Sequence, residues 1–347
     1  MSSAPPPVAA IVLNWNGLDD TRAAVDSLLA QSWPRLRVHV IDNGSHDGEA
    51  DRLAAAFGPR VELHRNAQNL GFAGGHEAVL RALLDAGDAR YIALLNNDAV
   101  AAPDWIARLV AVAERNEDVG ACASLMVYRD RPAVVENAGV VLLRTGEALP
   151  RGRGRPAAAF RRPAGLLAAC GGALLLRADA LRQVGLFRRE FFLVFEDVDL
   201  TLRLSACGWR CRYVPDAVVA HRLGRSIDKV RDAAFDVRSI RNLSFAWLVN
   251  MPLPALLLSL PWLGAGWLLA PLCCALLGHP RYAATLLRGH LRALCEWRAL
   301  LAARRALRPL RRSPWWRVFA MHGSSLAAYG RFLRDVVLLR RRAPMGD

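Results

Sequence analysis

The sequence predicts an α/β fold with a mostly parallel sheet and flanking helices. Short apolar runs rich in Val, Ile and Leu alternate with segments of helical periodicity. Each apolar run ends in a polar turn, and regular strand–helix alternation is typical of parallel sheets. The predicted strands are residues 8–13, 37–41, 61–64 and 91–95, and the predicted helices are residues 19–30, 74–84 and 104–114.

The second half of the chain changes in character twice. Residues 144–163 are rich in Arg, Gly and Pro, which predicts a mobile loop. An ordered pattern resumes over residues 171–179, 191–207 and 211–221, and a strongly apolar stretch begins near Pro252. We therefore predict two domains, residues 1–245 and residues 246–347.

The excess positive charge is confined to the tail. The net charge is +15, yet residues 279–347 alone hold fifteen arginines against three acids. Basic residues of this kind, next to an apolar stretch, do not indicate a nucleic-acid-binding domain. The seven cysteines lack the paired C-x-x-C spacing of zinc sites, so we expect reduced thiols. Residues 1–7 carry no secretion signal, which predicts a cytoplasmic first domain.

Three polar segments follow predicted strands, where ligands of parallel sheets bind. Asp42 could accept hydrogen bonds from a base or ribose, although Asp-Asn-Gly is also an ordinary turn. The glycine-rich residues 69–75 could present backbone N–H groups to an anion, or could simply begin a helix. Asp98 could hold a divalent cation beside a diphosphate, or form an Asx turn.

Two further residues could act in the same site. His221 ends a predicted strand and could add an imidazole to the metal, although one such histidine can be purely structural. Asp197 begins a helix after an aromatic run. Acids in a first helical turn are favoured by the helix dipole, and this one could also be a general base in a partly apolar acceptor pocket.

Taken together, these segments resemble glycosyltransferase family 2, the inverting enzymes with the Rossmann-like nucleotide-binding GT-A fold. The similarity is strongest to the rhamnosyltransferase-like branch, which builds bacterial cell-surface polysaccharides. It covers about residues 8–245 in six ordered blocks. The blocks are Val12-Leu13-Asn14-Trp15-Asn16-Gly17, Ile41-Asp42-Asn43-Gly44-Ser45, Asn69-Leu70-Gly71-Phe72-Ala73-Gly74-Gly75, Leu94-Leu95-Asn96-Asn97-Asp98, Phe195-Glu196-Asp197-Val198-Asp199-Leu200 and His221.

The resemblance implies a role for each matching residue. Asp197 would be the catalytic base, and Asp98 with His221 would bind Mg²⁺ or Mn²⁺ at the position of the family's DxD-type motif. Asp42 would contact the nucleotide base. The other donor-binding positions would be Asn14, Asn16, Gly71, Gly74 and Asn97.

The sequence departs from the family's pattern at two of these positions. His76 stands where many relatives have Asn after Gly-Gly, which puts donor contacts at that loop in doubt. Asn96 replaces the first acid of a full DxD motif, so the metal would be held by fewer charges.

These residues predict a single-displacement mechanism. The metal would offset charge on the departing nucleotide, while Asp197 accepts a proton from the attacking hydroxyl. Arginines in Arg222-Leu223-Gly224-Arg225 could close over the diphosphate, or could form a solvated basic loop. The favoured donor is dTDP-rhamnose. A UDP-hexose donor and a membrane-tethered adaptor without turnover are the alternatives.

The tail predicts membrane association. Residues 253–277 form 25 consecutive positions without a charge, long enough to span a bilayer. A single transmembrane pass would place the Arg-rich tail outside, against the positive-inside rule. A re-entrant hairpin, a helix lying in the membrane interface or a second transmembrane pass would keep the charge cytoplasmic. The breaks at Pro254, Pro261 and Gly264-Ala265-Gly266 favour the hairpin. Residues 281–312 would then bind anionic lipids. The expected location is the cytoplasmic face of the bacterial inner membrane, and the expected acceptor is a lipid-linked glycan.

Overall fold

The computed structural model describes residues 4–222 and 232–323, which form two compact units. The first unit contains the described residues up to 140 and from 150 to 222. The second contains residues 141–149 and the described residues from 232 onward. The domain boundary that we predict between residues 245 and 246 lies inside the helix Ala233–Asn250, and it stays a prediction.

The first unit is built on a ten-stranded mixed sheet. Its main path runs β10-β12-β6-β11-β4-β1-β2-β3, with β5 paired to β12 and β7 paired to β6. A separate two-stranded hairpin joins β8 to β9. The strands are β1 (Val8–Asn14), β2 (Leu36–Asn43), β3 (Glu62–Asn66), β4 (Tyr91–Asn96), β5 (Ala99–Ala101), β6 (Val119–Tyr128), β7 (Val135–Asn137), β8 (Val140–Leu142), β9 (Ala148–Pro150), β10 (Ala164–Leu166), β11 (Ala173–Arg177) and β12 (Arg210–His221).

Helices of the first unit flank this sheet, as the alternating pattern predicts. All four strands and three helices predicted for the first half are present, and their ends differ from the predicted ends by at most three residues. Trp105 and Tyr91 are among the largest fully buried side chains of the core. The helices are α1 (Leu18–Leu29), α2 (Glu49–Phe57), α3 (Gly71–Ala86), α4 (Trp105–Glu114), α5 (Ala178–Val184) and α6 (Glu196–Ala206).

Parallel pairing dominates only one half of the sheet. Strands β3, β2, β1 and β4 are mutually parallel, whereas β11 runs antiparallel between β4 and β6. An antiparallel strand begins at the edge where its parallel neighbours end. The start of β11 therefore lies beside the carboxyl end of β4, the edge at which ligands of such sheets bind.

The segment predicted as a mobile loop contains regular structure. Within residues 144–163, β9 pairs with β8, and a 3₁₀ turn spans Ala157–Phe160. The Phe160 side chain is buried, and the Arg151 guanidinium lies over its ring at 5.0 Å. An apolar anchor and hydrogen-bonded strands thus order a sequence whose glycine and proline content predicts a loop.

The second unit is helical. After α7 (Ala233–Asn250) come α8 (Leu253–Gly264), a π-helical turn (Ala265–Leu269) and α9 (Ala270–Leu276), followed by α10 (Pro280–Cys295), α11 (Trp297–Leu307) and α12 (Trp315–Ala320). Gly289 of α10 lies against Ile240 of α7, where an added Cβ would come within 2.5 Å of the Ile240 Cβ. Close helix packing therefore requires glycine at that position.

The re-entrant hairpin predicted for the apolar stretch is wrong. Gly264 and Ala265 have α-helical dihedral angles, so the chain continues as a helix through the predicted break. Pro254 lies in the first turn of α8, where a backbone N–H would have no intrahelical partner, so proline costs no hydrogen bond there. Pro261 lies inside the helix, and a π-helical turn follows it. The chain reverses only after residue 276, where Gly278 takes a left-handed conformation with φ of +87°.

Leu253–Leu276 is long and apolar enough to cross a membrane, by length and composition alone. It has 24 residues and a mean hydropathy of 1.7, and only 22% of its most apolar window is buried. Leu257, Leu268, Leu272 and Leu276 are each more than half exposed.

Two tail arginines have a structural role in the second unit. The Arg304 guanidinium donates to the Leu248 and Met251 carbonyls, and Arg311 donates to the Val249 and Asn250 carbonyls at 2.8 Å each. Helix C-termini leave carbonyls without intrahelical partners and carry partial negative charge. These arginines therefore cap α7, so not all of the predicted lipid-binding charge is available to lipid.

Candidate active site

A carboxylate–histidine pair lies at the ends of β4 and β12. Asp98 follows β4, and His221 is the last residue of β12. The Asp98 Oδ1 and His221 Nε2 atoms are 3.0 Å apart, and both side chains are buried. Pairing of β5 with β12 places Ala99 opposite His221, which fixes this contact through backbone hydrogen bonds.

The second nitrogen of His221 faces another acid. His221 Nδ1 lies 3.5 Å from Glu136 Oε2, and neither atom has a hydrogen-bond partner among the described residues. Glu136 also contacts Arg153 at 3.1 Å. A histidine that binds metal through one nitrogen usually presents the other to a carboxylate, which fixes its tautomer. The Glu136–His221–Asp98 arrangement therefore fits a metal held by Nε2 and a carboxylate oxygen.

The two acids also control the charge of His221 when metal is not bound. Burial disfavours the imidazolium, but the contacts with Asp98 and Glu136 outweigh it and raise the His221 pKa to about 10. The ring is therefore protonated at neutral pH in that state. A metal must displace this proton, since only the neutral imidazole has a lone pair to donate.

Four of the six predicted donor-binding residues lie in or beside one hydrogen-bond network at the ends of β1, β2 and β4. Asn14 Nδ2 donates to Asp42 Oδ1 at 3.0 Å, and Thr21 Oγ1 donates to Asn14 Oδ1 at 2.7 Å. Asn97 Nδ2 in turn donates to Thr21 Oγ1 at 3.3 Å. Asn16, with φ of +51°, accepts from a backbone N–H in the loop after β2. The structure thus brings Asn14, Asp42 and Asn97 together.

Two backbone N–H groups of the glycine-rich segment at the start of α3 donate to other protein groups and are not available to a bound anion. The Gly71 N–H donates to Asn69 Oδ1 at 2.8 Å, and the Ala73 N–H donates to the Phe192 carbonyl at 3.2 Å. Gly71 has φ of +70°, and an added Cβ would lie 2.2 Å from the Phe192 oxygen. Gly74, by contrast, would place a Cβ 3.1 Å from the Leu70 Cβ. The donor-binding roles of both glycines stay predictions.

Asp197 lies in the first turn of α6, after a backbone segment of unusual conformation. Phe192, Val194 and Phe195 all have positive φ, of 58°, 73° and 70°. Such conformations cost about 1–3 kcal/mol for residues other than glycine and cluster at functional sites. The segment turns the chain so that Asp197 Oδ2 accepts from the Gly171 N–H at 2.6 Å.

The surroundings of Asp197 raise the pKa of its carboxyl group, which suits the predicted role as a base. Burial raises the Asp197 pKa, although the backbone N–H groups of Gly171 and Val198 oppose the rise. Glu196 is also buried, and burial together with the Asp197 charge raises the Glu196 pKa well above its usual value. Burial likewise raises the pKa of the neighbouring Cys170 thiol, which stays protonated. Of the two neighbouring acids, Glu196 is buried and Asp197 is half-buried. The Asp197 carboxylate accepts hydrogen bonds from the backbone N–H groups of Gly171 and Val198.

Two consecutive glycines connect the predicted base to the turn after β4. Gly171 contacts Asp197, and the Gly172 carbonyl accepts from the Asn96 N–H at 2.9 Å. An added Cβ on Gly172 would lie 3.0 Å from Asn96 Nδ2, so larger residues are disfavoured there. The antiparallel β11 therefore begins between Asp197 and the segment that carries Asp98.

The arginine-rich turn after β12 is only partly described. Arg222 forms an ion pair with Asp20 at 3.2 Å. The remaining residues of the predicted diphosphate clamp, Leu223, Gly224 and Arg225, lie outside the described residues. His76, one of the two departures from the family's pattern, is buried and bonds the Phe72 carbonyl at 2.8 Å.

Sequence reasoning missed Glu136 and Glu49. Glu136 lies on a three-residue strand without alternating polarity, so no local pattern marks it. Glu49 Oε2 accepts from Asn14 Nδ2 and from the Gly17 N–H, at 3.0 Å each. Glu49 does begin a helix directly after the Asp42 turn, and this position could have indicated it.

The fold and this arrangement of strand ends define a GT-A type glycosyltransferase. A family model described as "Glycosyltransferase like family 2" matches residues 5–242. The chain therefore belongs to glycosyltransferase family 2, and the resemblance inferred from the six sequence blocks is confirmed.

Sequence relatives include polysaccharide enzymes. The chain is 30% identical over 265 residues to an N-acetylglucosaminyl-diphospho-decaprenol L-rhamnosyltransferase of Mycobacterium tuberculosis, covering 70% of this chain and 80% of that protein. It is 31% identical over 215 residues to the O-antigen biosynthesis protein RfbC of Myxococcus xanthus, covering 59% of this chain and 16% of that protein.

Solved structures agree on the fold. A mannosyltransferase from Pyrobaculum calidifontis, in complex with GDP-Man and Mn²⁺, superposes with a TM-score of 0.52 at 20% identity, covering 96% of this chain and 88% of that one. GalNAc-T7 with UDP, GalNAc and Mn²⁺ gives a TM-score of 0.55 at 16% identity, covering 72% of this chain but only 48% of that one.

Proposed function

We propose that this glycosyltransferase transfers rhamnose from dTDP-rhamnose to a lipid-linked glycan, with inversion at the anomeric carbon, at the cytoplasmic face of the bacterial inner membrane. The observation that supports this chemistry is that two consecutive glycines contact Asp197 and Asn96, which lies two residues before Asp98, the partner of His221. The choice of donor and acceptor rests on the mycobacterial relative, whose name specifies rhamnose and a diphospho-decaprenol carrier.

Asp98 and His221 would hold the metal. Their facing atoms are 3.0 Å apart, close to the spacing of about 3 Å between adjacent ligands of an octahedral ion. A bound Mg²⁺ or Mn²⁺ would neutralise negative charge on the donor diphosphate. Glu136 would hold the His221 ring in the orientation that presents Nε2.

Asp197 would act as the general base. Its carboxylate accepts the proton of the acceptor hydroxyl while the hydroxyl oxygen forms a bond to the anomeric carbon. The bond from that carbon to the diphosphate oxygen breaks at the same time, and its electron pair leaves with the nucleotide. Attack from the face opposite the leaving group inverts the configuration. The raised pKa of Asp197 favours proton transfer from a hydroxyl.

The donor subsite would be the network of Asn14, Asp42 and Asn97. Asp42 Oδ1 accepts only one side-chain hydrogen bond among those described, from Asn14, so the carboxylate retains acceptor capacity for a base or ribose. A second candidate donor, a UDP-hexose, would occupy the same subsite, but it differs from dTDP-rhamnose in the 5-methyl group of the base and the 2′-hydroxyl of the ribose as well as in the sugar.

The test is transfer by the full-length protein purified in detergent, with a polyprenyl-diphosphate acceptor and a panel of nucleotide sugars. We expect Mn²⁺-dependent transfer from dTDP-rhamnose and an inverted linkage by NMR. Asp197→Asn should lower kcat by about 10²–10⁴-fold while nucleotide still binds. The exposed Glu190→Gln is the matched control and should leave kcat unchanged. Full activity in Asp197→Asn would refute the assignment of the base, and exclusive use of a UDP-hexose would refute the donor.

A further inference from the structure

A second cluster of metal-binding residue types lies on β2 and β3, apart from Asp98 and His221. His39, Glu62 and His64 each offer one ligand atom, and these three atoms all lie within 4.8 Å of one another. None of the residues assigned to the proposed transfer chemistry belongs to this cluster. The site is therefore independent of the function proposed above.

Strand register puts the three side chains on one face of the sheet. In the parallel pair, His39 is opposite Glu62, and His64 is opposite Ile41, two residues along β2 from His39. Residues two apart on a strand, and residues paired across strands, project to the same side. The cluster is thus built by regular backbone pairing rather than by mobile loops.

The distances suit ligation of one cation. His39 Nδ1 lies 3.1 Å from His64 Nε2 and 3.5 Å from Glu62 Oε2. Two ligand atoms on a tetrahedral ion with bonds of about 2.0–2.1 Å are about 3.3 Å apart. The Glu62 side chain is 51% exposed and free to adjust its rotamer, so it can close the third ligand position.

The surroundings keep all three ligands available. Arg37 lies 3.9 Å from Glu62 but is paired more closely with Asp88, at 2.6 Å. Burial lowers the pKa of His39 to about 4 and also lowers that of His64, so both rings are neutral, the form that binds metal. His39 is almost fully buried, and its Nε2 has no hydrogen-bond partner among the described residues.

We propose that His39, Glu62 and His64 form a second metal site that binds Zn²⁺ or a similar late first-row divalent cation. Two imidazoles and one carboxylate are typical ligands of such ions, whereas Mg²⁺ prefers oxygen ligands. Water would occupy the fourth position on the exposed side. The ion would tie β3, the last strand of the sheet path, to β2, whose final residues hold the predicted donor network.

The test is a Co²⁺ titration of the tag-free full-length protein without nucleotide, followed by visible absorption. We expect one equivalent with the d–d bands of a low-coordinate nitrogen-ligated site. His64→Ala should weaken this binding by about tenfold or more, since even the loss of a residue that only supports a metal ligand costs that much. Exposed His46→Ala is the control for incidental histidine binding, and Asp98→Asn is the control for the predicted diphosphate metal; both should leave the bands unchanged.

A second measurement and a second variant keep the result decisive. Zn²⁺ should raise the Tm of the wild-type protein relative to EDTA, and this increase should be lost in His64→Ala. If that variant fails to fold, Glu62→Ala removes a ligand at an exposed position instead. The proposal is overturned if wild-type protein shows no saturable Co²⁺ bands, if His64→Ala or Glu62→Ala binds as wild type does, or if Asp98→Asn abolishes the bands. If no saturable Co²⁺ bands appear, the 3.1 Å contact between His39 and His64 is explained by a neutral N–H···N hydrogen bond between their rings.

Discussion

His221 links the metal chemistry of the candidate site to its dependence on pH. Its pKa in the folded, metal-free protein is about 10, above the usual value of 6.5. A group whose pKa is raised by folding stabilises the fold most at pH values below its unfolded pKa. That contribution is lost as the pH rises from about 6.5 through about 10.

We therefore predict that the free energy of unfolding in EDTA falls more steeply between pH 6.5 and pH 10 for wild-type protein than for His221→Asn. The measurement is denaturant unfolding at several pH values, and the difference between the two proteins isolates this residue from other titrating groups. Parallel curves for the two proteins would show that Asp98 and Glu136 do not hold His221 in its charged form.

Glu136 gives a second prediction for a single residue. Glu136→Gln removes the charge that faces His221 Nδ1, so the ring loses the contact that presents Nε2 to the metal. The Mn²⁺ concentration for half-maximal transfer should rise by about 10–100-fold. Glu117→Gln, a change of the same kind at an exposed position, should have no effect. An unchanged Mn²⁺ requirement in Glu136→Gln would assign Glu136 a purely structural ion pair with Arg153.

At the scale of elements, the turn into α3 depends on a single glycine. Gly71→Ala places a Cβ against the Phe192 carbonyl and forces a left-handed conformation on alanine. We expect a loss of about 2–4 kcal/mol in the free energy of unfolding. Gly74→Ala in the same helix is the matched control and should lose much less stability, because its Cβ would be 3.1 Å from the Leu70 Cβ alone and the position does not require a left-handed backbone.

Chemical denaturation of both variants checks this prediction. Because Phe192 belongs to the strained segment before α6, Gly71→Ala should also lower kcat by displacing Asp197. Equal stability of the two variants would mean that the segment containing Phe192 can move away from the new Cβ at residue 71 without a loss of stability.

Elements marked by periodicity were predictable, and contacts between distant elements were not. Strands β1 to β4 and helices α1, α3 and α4 follow from apolar spacing alone. Asp98 and His221 could be proposed because Asp98 closely follows a strand and His221 ends one. Glu136 could not, since only the pairing of β7 with β6, and of β6 with β12, brings it to His221. The hairpin prediction failed because the prolines and glycines of residues 253–277 predicted a break in the helix, whereas the observed helix continues through them.

At the scale of the whole molecule, the exposed leucines of Leu253–Leu276 test membrane association. Leu268 and Leu272 are 65% and 54% exposed, so charge there need not disturb packing. A charged residue at the centre of a membrane helix costs about 2.5–3.5 kcal/mol. Leu268→Arg combined with Leu272→Arg should therefore shift the protein from the membrane fraction to the soluble fraction.

Fractionation of cells expressing the full chain measures this shift. Leu149→Arg, at an exposed leucine outside the apolar helix, is the control and should remain with the membrane. If the double variant also stays with the membrane, attachment would depend on the basic tail rather than on this helix.

The adjacent glycines just before β11 also couple the two parts of the proposed chemistry. Gly171 touches the proposed base and Gly172 touches the segment that carries the metal-binding carboxylate. Consecutive Cα atoms are about 3.8 Å apart and are joined by a rigid peptide unit. A displacement of either glycine would therefore disturb the contact of the other, so that the predicted base and the predicted metal-binding segment cannot shift independently.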